Sequence, residues 1–403
     1  MEALTIDGLV KFTKLYYLKD GKRETPNERS ILVMLIGIPK EIKNQEERVG
    51  ATPSMVASLI SGGHDVIVEH DAGVGSGFAD DEYTAVGAKI GSVDEAWQAE
   101  MVIKVKEPLE AEYHFFRPGM IIYTYLHLAA DPKLTAAMLE KKVIGVAYET
   151  MVGRNGDLPL LAPMSEIAGR MAAQVSTHFL EGPHGGKGLL LSGTTGVARG
   201  KVAVIGGGTV GFNAAKIAVG LGAQVTILDI NAARLEYIDN IFDGKVQTLM
   251  STPHNIAQAV KESDLVIGAV LIPGAKAPTL VTTEMIDSME DGSVVVDVPI
   301  DQGGIFETTT HATTHDDPIY VSHGVVHYTV ANIPGAVPRT STEALTSATT
   351  APALKIANMG IDAAAKADNE IATGINTYNG KMTSKAVADS LKLDYTSLDE
   401  LIG

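Results

Sequence analysis

"VAVIGGGTVGFNAAKIAVGLGAQVTILDIN", residues Val202 to Asn231, decides how the rest of the chain is read. An apolar β-type run ends at a glycine cluster, and a helix-type segment follows at once. Gly206, Gly208 and Gly211 form G-x-G-x-x-G, and each has a separate task. Gly206 permits a tight turn, Gly208 lets the backbone approach a pyrophosphate, and Gly211 lets the new helix pack close to its strand. The first N–H groups of that helix, with Thr209 and Val210 at its start, then present a positive dipole end to phosphate. Glycine turns are common, so the setting matters more than the motif. A second strand, "QVTILD", ends in Asp229, at about the spacing of a carboxylate that holds the adenosine ribose hydroxyls. The same carboxylate repels a 2′-phosphate, so NAD is expected rather than NADP. Arg234 reads either as a flank for the adenosine or as a solvated helix charge.

Outward from this stretch, "SDLVIGAVL", "GSVVVDV" and "GVVHYTVANIP" continue a strand–helix alternation. An independent series precedes it between Met34 and Leu160: "LIGIP", "PSMVASLISGG", "HDVIVEH", "EMVIKVKEP", "MIIYTYLHLA", "PKLTAAMLEKK" and "VIGVAYE". Strands separated by helices predict α/β architecture: two Rossmann-like domains, doubly wound parallel sheets, with a cleft between them. The expected divisions are an amino-terminal extension over 1–33, a substrate domain beginning over 34–160, a dinucleotide domain over 161–332, and helices over 333–403 that return to the first domain. Met34 is a candidate start. Thr52, Pro53 and Gly62 predict a capped helix between them. "PMSEIAGRMAAQVSTHFLEG" predicts an interdomain helix capped by Ser165. "EGPHGGKGLLLSGTTGVARG" reads as a loop or hinge, and "TSTE" at Thr340 to Glu343 as a capping box opening the last helical region.

Composition narrows the function class. The 403 residues suffice for two cores, and the net charge of −17 excludes a phosphate-neutralising nucleic-acid surface. No cysteine is present, so disulfides, thiolate nucleophiles and cysteine zinc sites are absent; a cytoplasmic setting is expected. The longest apolar run, Leu265 to Ala275, is shorter than the ~20 residues of a membrane span. The partners expected are small molecules.

In parallel α/β sheets, ligands sit outside the carboxyl ends of the strands. Four polar side chains fall there. Arg48 lies between the first strand and its helix, Lys106 ends "VIKVK", His127 stands near the end of "IIYTYLHLA", and Asp301 follows "VVVDV" after Pro299. Singly, each has a plain structural reading: a solvated charge, a core histidine, or a turn cap. Together they frame one cleft. Asp297, inside the strand, reads as a structural group needing an internal partner. His311 and His315 with Asp316 and Asp317 read as a solvated loop, and no metal is expected.

The segments "IGIPKEIKNQEERVGATP", "MVIKVKEPLEAEY", "YLHLAADP", "LPLLAPMSEIAGRMAAQ", "VIGGGTVGFNAAKIA", "IGAVLIPGAKAPTLV", "VDVPIDQGG" and "VANIPGAVPRTST" resemble the alanine dehydrogenase and pyridine nucleotide transhydrogenase family, from Met34 almost to the end. The resemblance implies NAD-dependent interconversion of L-alanine with pyruvate and ammonium by a homohexamer. It implies substrate contacts at Arg48 and Lys106, and catalytic roles for His127 and Asp301. Cofactor contacts are implied at Ser165, Thr209, Val210, Asp229, Arg234, Ser251, Val270, Leu271, Val298, Ile300, Asp301, Val330, Ala331, Asn332 and Ile333. Ile333 stands where the family usually has Met, Pro299 where it usually has Ala, and "GTTGV" from Gly193 replaces a proline-containing loop. For the reaction, the Arg48 fork suits a carboxylate, Lys106 a developing oxygen, an imidazole at His127 proton transfer near neutrality, and Asp301 the attacking water. Three other readings remain: a soluble NAD-binding transhydrogenase subunit, a non-catalytic NAD-binding module, and a related lysine-forming saccharopine enzyme, which would need room for a second, larger substrate.

Overall fold

The computed structural model describes residues 32–270 and 277–403, and in the amino-terminal stretch only an antiparallel pairing of β1 (Leu18–Lys19) with β2 (Lys22–Arg23). Most of 1–33, and Leu271, lie outside the described residues.

The first sheet contains β3 (Leu35–Ile38), β4 (Asp65–Glu69), β5 (Lys89–Gly91), β6 (Met101–Ile103), β7 (Ile121–Thr124) and β8 (Ile144–Ala147). The second contains β9 (Lys201–Ile205), β10 (Gln224–Asp229), β11 (Val246–Met250), β12 (Leu265–Gly268), β13 (Val294–Asp297), β14 (Ile319–Ser322) and β15 (Val325–Tyr328). Near the end of the chain, β16 (Ile375–Tyr378) and β17 (Lys381–Met382) join the first sheet, β16 pairing antiparallel with β8. Strand orders are β17-β16-β8-β7-β6-β3-β4-β5 and β11-β10-β9-β12-β13-β15-β14. Every pairing from β3 to β8 is parallel, as is every pairing in the second sheet except the β14 edge. Both domains are therefore doubly wound as expected. Every residue of β6, β7, β8, β12, β13 and β15 is buried, which is why these strands read as unbroken apolar runs: helices cover both faces.

Each sheet reverses direction once. In the first, β3 and β6 are neighbours, and the chain leaves them into the segments bearing Arg48 and Lys106. In the second, β9 and β12 are neighbours, and they open into the glycine turn and Val270. Such switch points leave a crevice for ligand.

The helix Ala162–Phe179 connects the domains and lies on the helix Thr209–Gly220. A Cβ on Gly169 would stand 2.1 Å from the Val210 carbonyl oxygen, so the two backbones touch. Ser165 does not cap this helix. Residue Leu161 occupies the cap without a side-chain bond, and Ser165 already donates its N–H to the Leu161 carbonyl at 3.2 Å; Pro163, with fixed φ, starts the helix earlier. The same competition overturns the box at Thr340. The helix Pro338–Met359 starts at its proline, and Glu343 instead pairs with Arg339 at 3.4 Å one turn away. Thr52 does cap the helix Pro53–Ser61, its hydroxyl accepting the Met55 N–H at 3.2 Å, with Gly62 at the far end.

Candidate active site

The strand ends fall short of two expected residues. β6 stops at Ile103 and β7 at Thr124, so Lys106 and His127 sit on the loops that follow. Burial in the loop after β6 is unusual. Lys104 is fully buried and pairs with Glu41 at 2.9 Å and Glu112 at 3.0 Å. Glu41 also accepts the Val105 and Lys106 N–H groups at 2.6 and 3.2 Å, while the Lys106 carbonyl accepts the Thr124 hydroxyl at 3.0 Å. A buried ion pair thus fixes the backbone that carries Lys106.

Arg48 is brought beside it by a close crossing. The loop after β3 runs so near β6 that a Cβ on Gly50 would lie 2.5 Å from the Ile103 carbonyl oxygen. The Thr342 hydroxyl, on the returning helix, accepts the Val49 N–H at 3.2 Å. Arg48 is 2% exposed, and four of the five guanidinium N–H donors are already engaged. Nε and Nη2 each donate to Glu46 at 2.6 Å, Nη2 also to Asn332 Oδ1 at 2.7 Å, and Nη1 to the Met164 sulfur at 3.1 Å. Asn332 Nδ2 closes the triangle on Glu46 at 3.0 Å. One edge of the fork belongs to Glu46, and a ligand at the Nη1–Nη2 edge would compete with both Asn332 and Met164. Burial works to raise the Glu46 carboxyl, but Arg48, then Lys106 and Asn332, outweigh it and hold it below the usual carboxylate range. Burial, followed by the Arg48 charge, pushes the Lys106 ammonium below the usual lysine range. Arg48, Lys106 and Glu46 together carry one net positive charge, which suits a single small carboxylate.

His127 has φ of +49° and is 44% exposed, with its ring stacked 6.0 Å from that of Tyr125. Its backbone is held by Glu149, which accepts the N–H groups of His127 at 2.6 Å and Leu126 at 3.2 Å; Glu149 Oε1 is 4.0 Å from the His127 Nδ1. Asp301 stands apart on the exposed turn Ile300–Gln302, without a hydrogen bond to Arg48, Lys106 or His127. Behind it, Asp297 has the internal partners its position demands, the Ile305 N–H at 3.1 Å and the Thr309 hydroxyl at 2.8 Å, and burial raises its carboxyl.

The glycine turn fits a dinucleotide on one side only. Gly206 has φ of +103°, and its Cβ would stand 2.8 Å from the Ala269 oxygen; a Cβ on Gly211 would stand 1.8 Å from the Gly206 oxygen. At Gly208, the cap of the helix Thr209–Gly220, a Cβ would meet nothing within 4 Å. Asp229 turns toward this loop, accepting the Gly207 N–H at 2.7 Å and the Asn231 N–H at 2.8 Å. Arg234 is no solvated charge: its Nε donates to the Gly207 oxygen at 2.5 Å and its guanidinium covers Phe212 and Tyr237 at 5.3 and 4.9 Å. Ser251, at the end of β11, donates its N–H to the Asp229 carbonyl at 2.9 Å. Of the other expected cofactor contacts, Val270 packs against Gly206; Ser165, Val270, Val298, Ile300 and Ala331 are half-buried, Val210, Val330 and Ile333 buried, and Thr209 exposed. His311 stacks on Tyr320 at 4.7 Å, and His315 Nε2 lies 3.2 Å from the Asn332 carbonyl.

Glu46, Glu149 and the Glu41–Lys104 pair went unrecognised in the sequence. For Glu149 a signal existed: it follows the end of β8, next to β7 in a parallel sheet.

Two doubly wound domains, one bearing a glycine turn and an acidic strand end, the other a buried basic pair at Arg48 and Lys106, define a dinucleotide-dependent enzyme class. "Alanine dehydrogenase/PNT, N-terminal domain" matches residues 37–168, and "Alanine dehydrogenase/PNT, C-terminal domain" matches 172–385. Alanine dehydrogenase of Staphylococcus haemolyticus is 60% identical over 370 residues, 92% of this chain and 99% of its own. That of Geobacillus stearothermophilus is 60% identical over 371 residues, 92% and 100%. A solved L-alanine dehydrogenase superposes with a TM-score of 0.87 at 49% identity, covering 89% of this chain and 99% of that one. A Sinorhizobium meliloti transhydrogenase superposes at 0.76 with 26% identity, covering 87% and 99%. The chain belongs to the alanine dehydrogenase/PNT family.

Proposed function

We propose that the chain oxidises L-alanine with NAD to pyruvate and ammonium, reversibly, in the cytoplasm and as a homohexamer. The observation that carries the chemistry is the direct Arg48–Asn332 bond, which sets a carboxylate site of one domain against the exit loop of the other, at 2.7 Å. The names of the 60%-identical relatives supply the substrate.

Arg48 holds the alanine carboxylate through its Nη1–Nη2 edge, displacing Asn332, while Glu46 keeps the guanidinium from rotating. Lys106 hydrogen-bonds the carboxylate and the oxygen that forms at the α-carbon. The glycine turn and Asp229 would hold NAD, whose nicotinamide would supply the acceptor for the hydride that leaves Cα. His127 takes a proton as the carbinolamine forms and returns one as ammonium leaves. Asp301 orients the water that adds to the imine, and domain closure excludes other water. Residues 34–160 and 333–403 act as the substrate domain and 161–332 as the NAD domain.

The test is NADH formation with a panel of L-amino acids, with NADP as control. Alanine should lead, and His127→Ala or Asp301→Ala should collapse turnover while NADH still binds. A chain that binds NADH but oxidises no amino acid would refute the proposal, and full activity in either variant would remove that residue from the mechanism.

A further inference from the structure

We propose that His178, Glu181 and His184 form a binding site for one divalent transition-metal ion with zinc-like ligand preferences. This departs from the sequence expectation of no metal. His178 lies in the last turn of the helix Ala162–Phe179; the chain then turns back through Gly182–His184, with Pro183 inside the turn and Gly185 at φ of +93° closing it. That reversal lays the His184 ring over the His178 ring, centroids 3.6 Å apart and planes 35° from parallel.

The donors gather around one oxygen. His178 Nδ1 is 3.9 Å and His184 Nε2 is 3.7 Å from the same oxygen, Glu181 Oε2, and the three ligand atoms lie within 4.8 Å of one another. Around an ion with bonds of about 2.0–2.1 Å, tetrahedral ligands stand about 3.4 Å apart. The two distances to Glu181 are within about half an ångström of that spacing, and closing the site on an ion then requires one imidazole to rotate out of the stack so that both in-plane lone pairs meet it. A second cluster fails this criterion. His70 sends Nε2 to Asp71 at 3.3 Å and Nδ1 to Asp80, so one ring serves two carboxylates on opposite sides and cannot converge with both on an ion.

The backbone under the site is tied down. Glu181 O accepts the N–H groups of His184 at 3.0 Å and Gly186 at 3.1 Å, and Lys187 N–H reaches Gly292 O at 3.0 Å. Two imidazoles and one carboxylate suit zinc, nickel, cobalt or copper over magnesium or calcium, which prefer oxygen alone. The helix carboxyl end adds a negative dipole pole beneath the cation. From Met164, beside Arg48, to His178 is fourteen helical residues, or about 21 Å, so the ion takes no part in the reaction. It would pin the end of the interdomain helix to the loop that reaches Gly292.

The test is calorimetric titration of the full, tag-free chain with Zn2+ in a buffer that does not chelate. One saturable ion per chain is expected, with a raised unfolding temperature. His178→Ala and His184→Ala should each weaken binding by at least about tenfold, since even outer contacts to a metal ligand are worth that much, and the double variant should abolish it. His127→Ala and His70→Ala should leave it unchanged, which separates this site from the Glu149 pair and the His70 cluster. Both side chains are substantially exposed, 51% and 40%, so the variants should fold, as NADH binding verifies independently. Co2+ should give a visible ligand-field band that disappears in the double variant. No saturable Zn2+ binding, or binding unchanged in the double variant, would overturn the proposal.

Discussion

Gly208→Ala separates folding from cofactor binding. The native backbone there has φ of −64° and ψ of −163°, open to any residue, and the added methyl would meet nothing within 4 Å. Alanine is a poorer helix cap than glycine, but it also loses less chain entropy on folding, each effect being a fraction of a kcal/mol to about 1 kcal/mol. They offset, so the unfolding temperature should hardly move. The space the methyl enters is the space that the pyrophosphate of the proposed NAD would occupy. Each hydrogen bond from a backbone N–H to a charged phosphate contributes about 1.5–3 kcal/mol, so displacing one contact should weaken NADH binding roughly 10- to 150-fold. Gly211→Ala is the contrasting control. Its methyl would lie 1.8 Å from the Gly206 oxygen, where ordinary contact begins at 3.4 Å, so the helix must retreat by about 1.6 Å, the difference of those distances. Overpacking of this kind costs about 1–3 kcal/mol. NADH fluorescence titration and thermal unfolding on both variants provide the assay. Wild-type NADH affinity in Gly208→Ala, or wild-type stability in Gly211→Ala, would refute the assignment of separate tasks to these glycines.

Glu46→Gln should destabilise the chain by about 3–5 kcal/mol at pH 7, because Arg48 would keep its charge in a buried place without its counter-ion; denaturant unfolding measures this. Since the folded carboxyl is held below its ordinary pKa, the wild type's advantage is complete above the usual carboxylate range and should fade as pH falls through the lower folded-state value. Lys106→Arg should change the shape of the alkaline limb for pyruvate. Deprotonation removes a positive charge from the carboxylate site, and the lowered lysine pKa starts the wild-type rise in KM below the ordinary lysine value of about 10.5, whereas arginine stays charged; identical profiles would exclude Lys106 from carboxylate binding.

The sequence made the dinucleotide turn legible because each glycine answers a local demand, a left-handed φ at Gly206 or a close backbone at Gly211. Arg48 and Lys106 were legible through a topological rule: the residues after strands at a switch point face a crevice. Their partners were not. Glu46, Glu41 and Glu149 are ordinary acids in sequence, and their roles depend on where the chain crosses itself, as when Gly50 passes β6 or β8 comes to lie beside β7. Ser165 and Thr340 misled because a nearby proline, Pro163 or Pro338, sets the helix start against a good capping side chain. Arg234 was left between two readings because the choice depended on Phe212 and Tyr237 lying beneath it, Tyr237 three residues on and Phe212 on the helix before β10.

The backbone contact at Gly169 and Val210 restricts how the enzyme can breathe. Two helices whose backbones meet at Gly169, and which are joined again by Arg170 Nε donating to Asn213 Oδ1 at 3.0 Å, have little slack between them, so the helix Ala162–Phe179 should ride with the nucleotide-binding half as cargo. Any opening and shutting would then fall to the two chain crossings, ahead of Ala162 and at the short turn Ile333–Ala336, with Met164 as a fingertip of the moving half resting on Arg48.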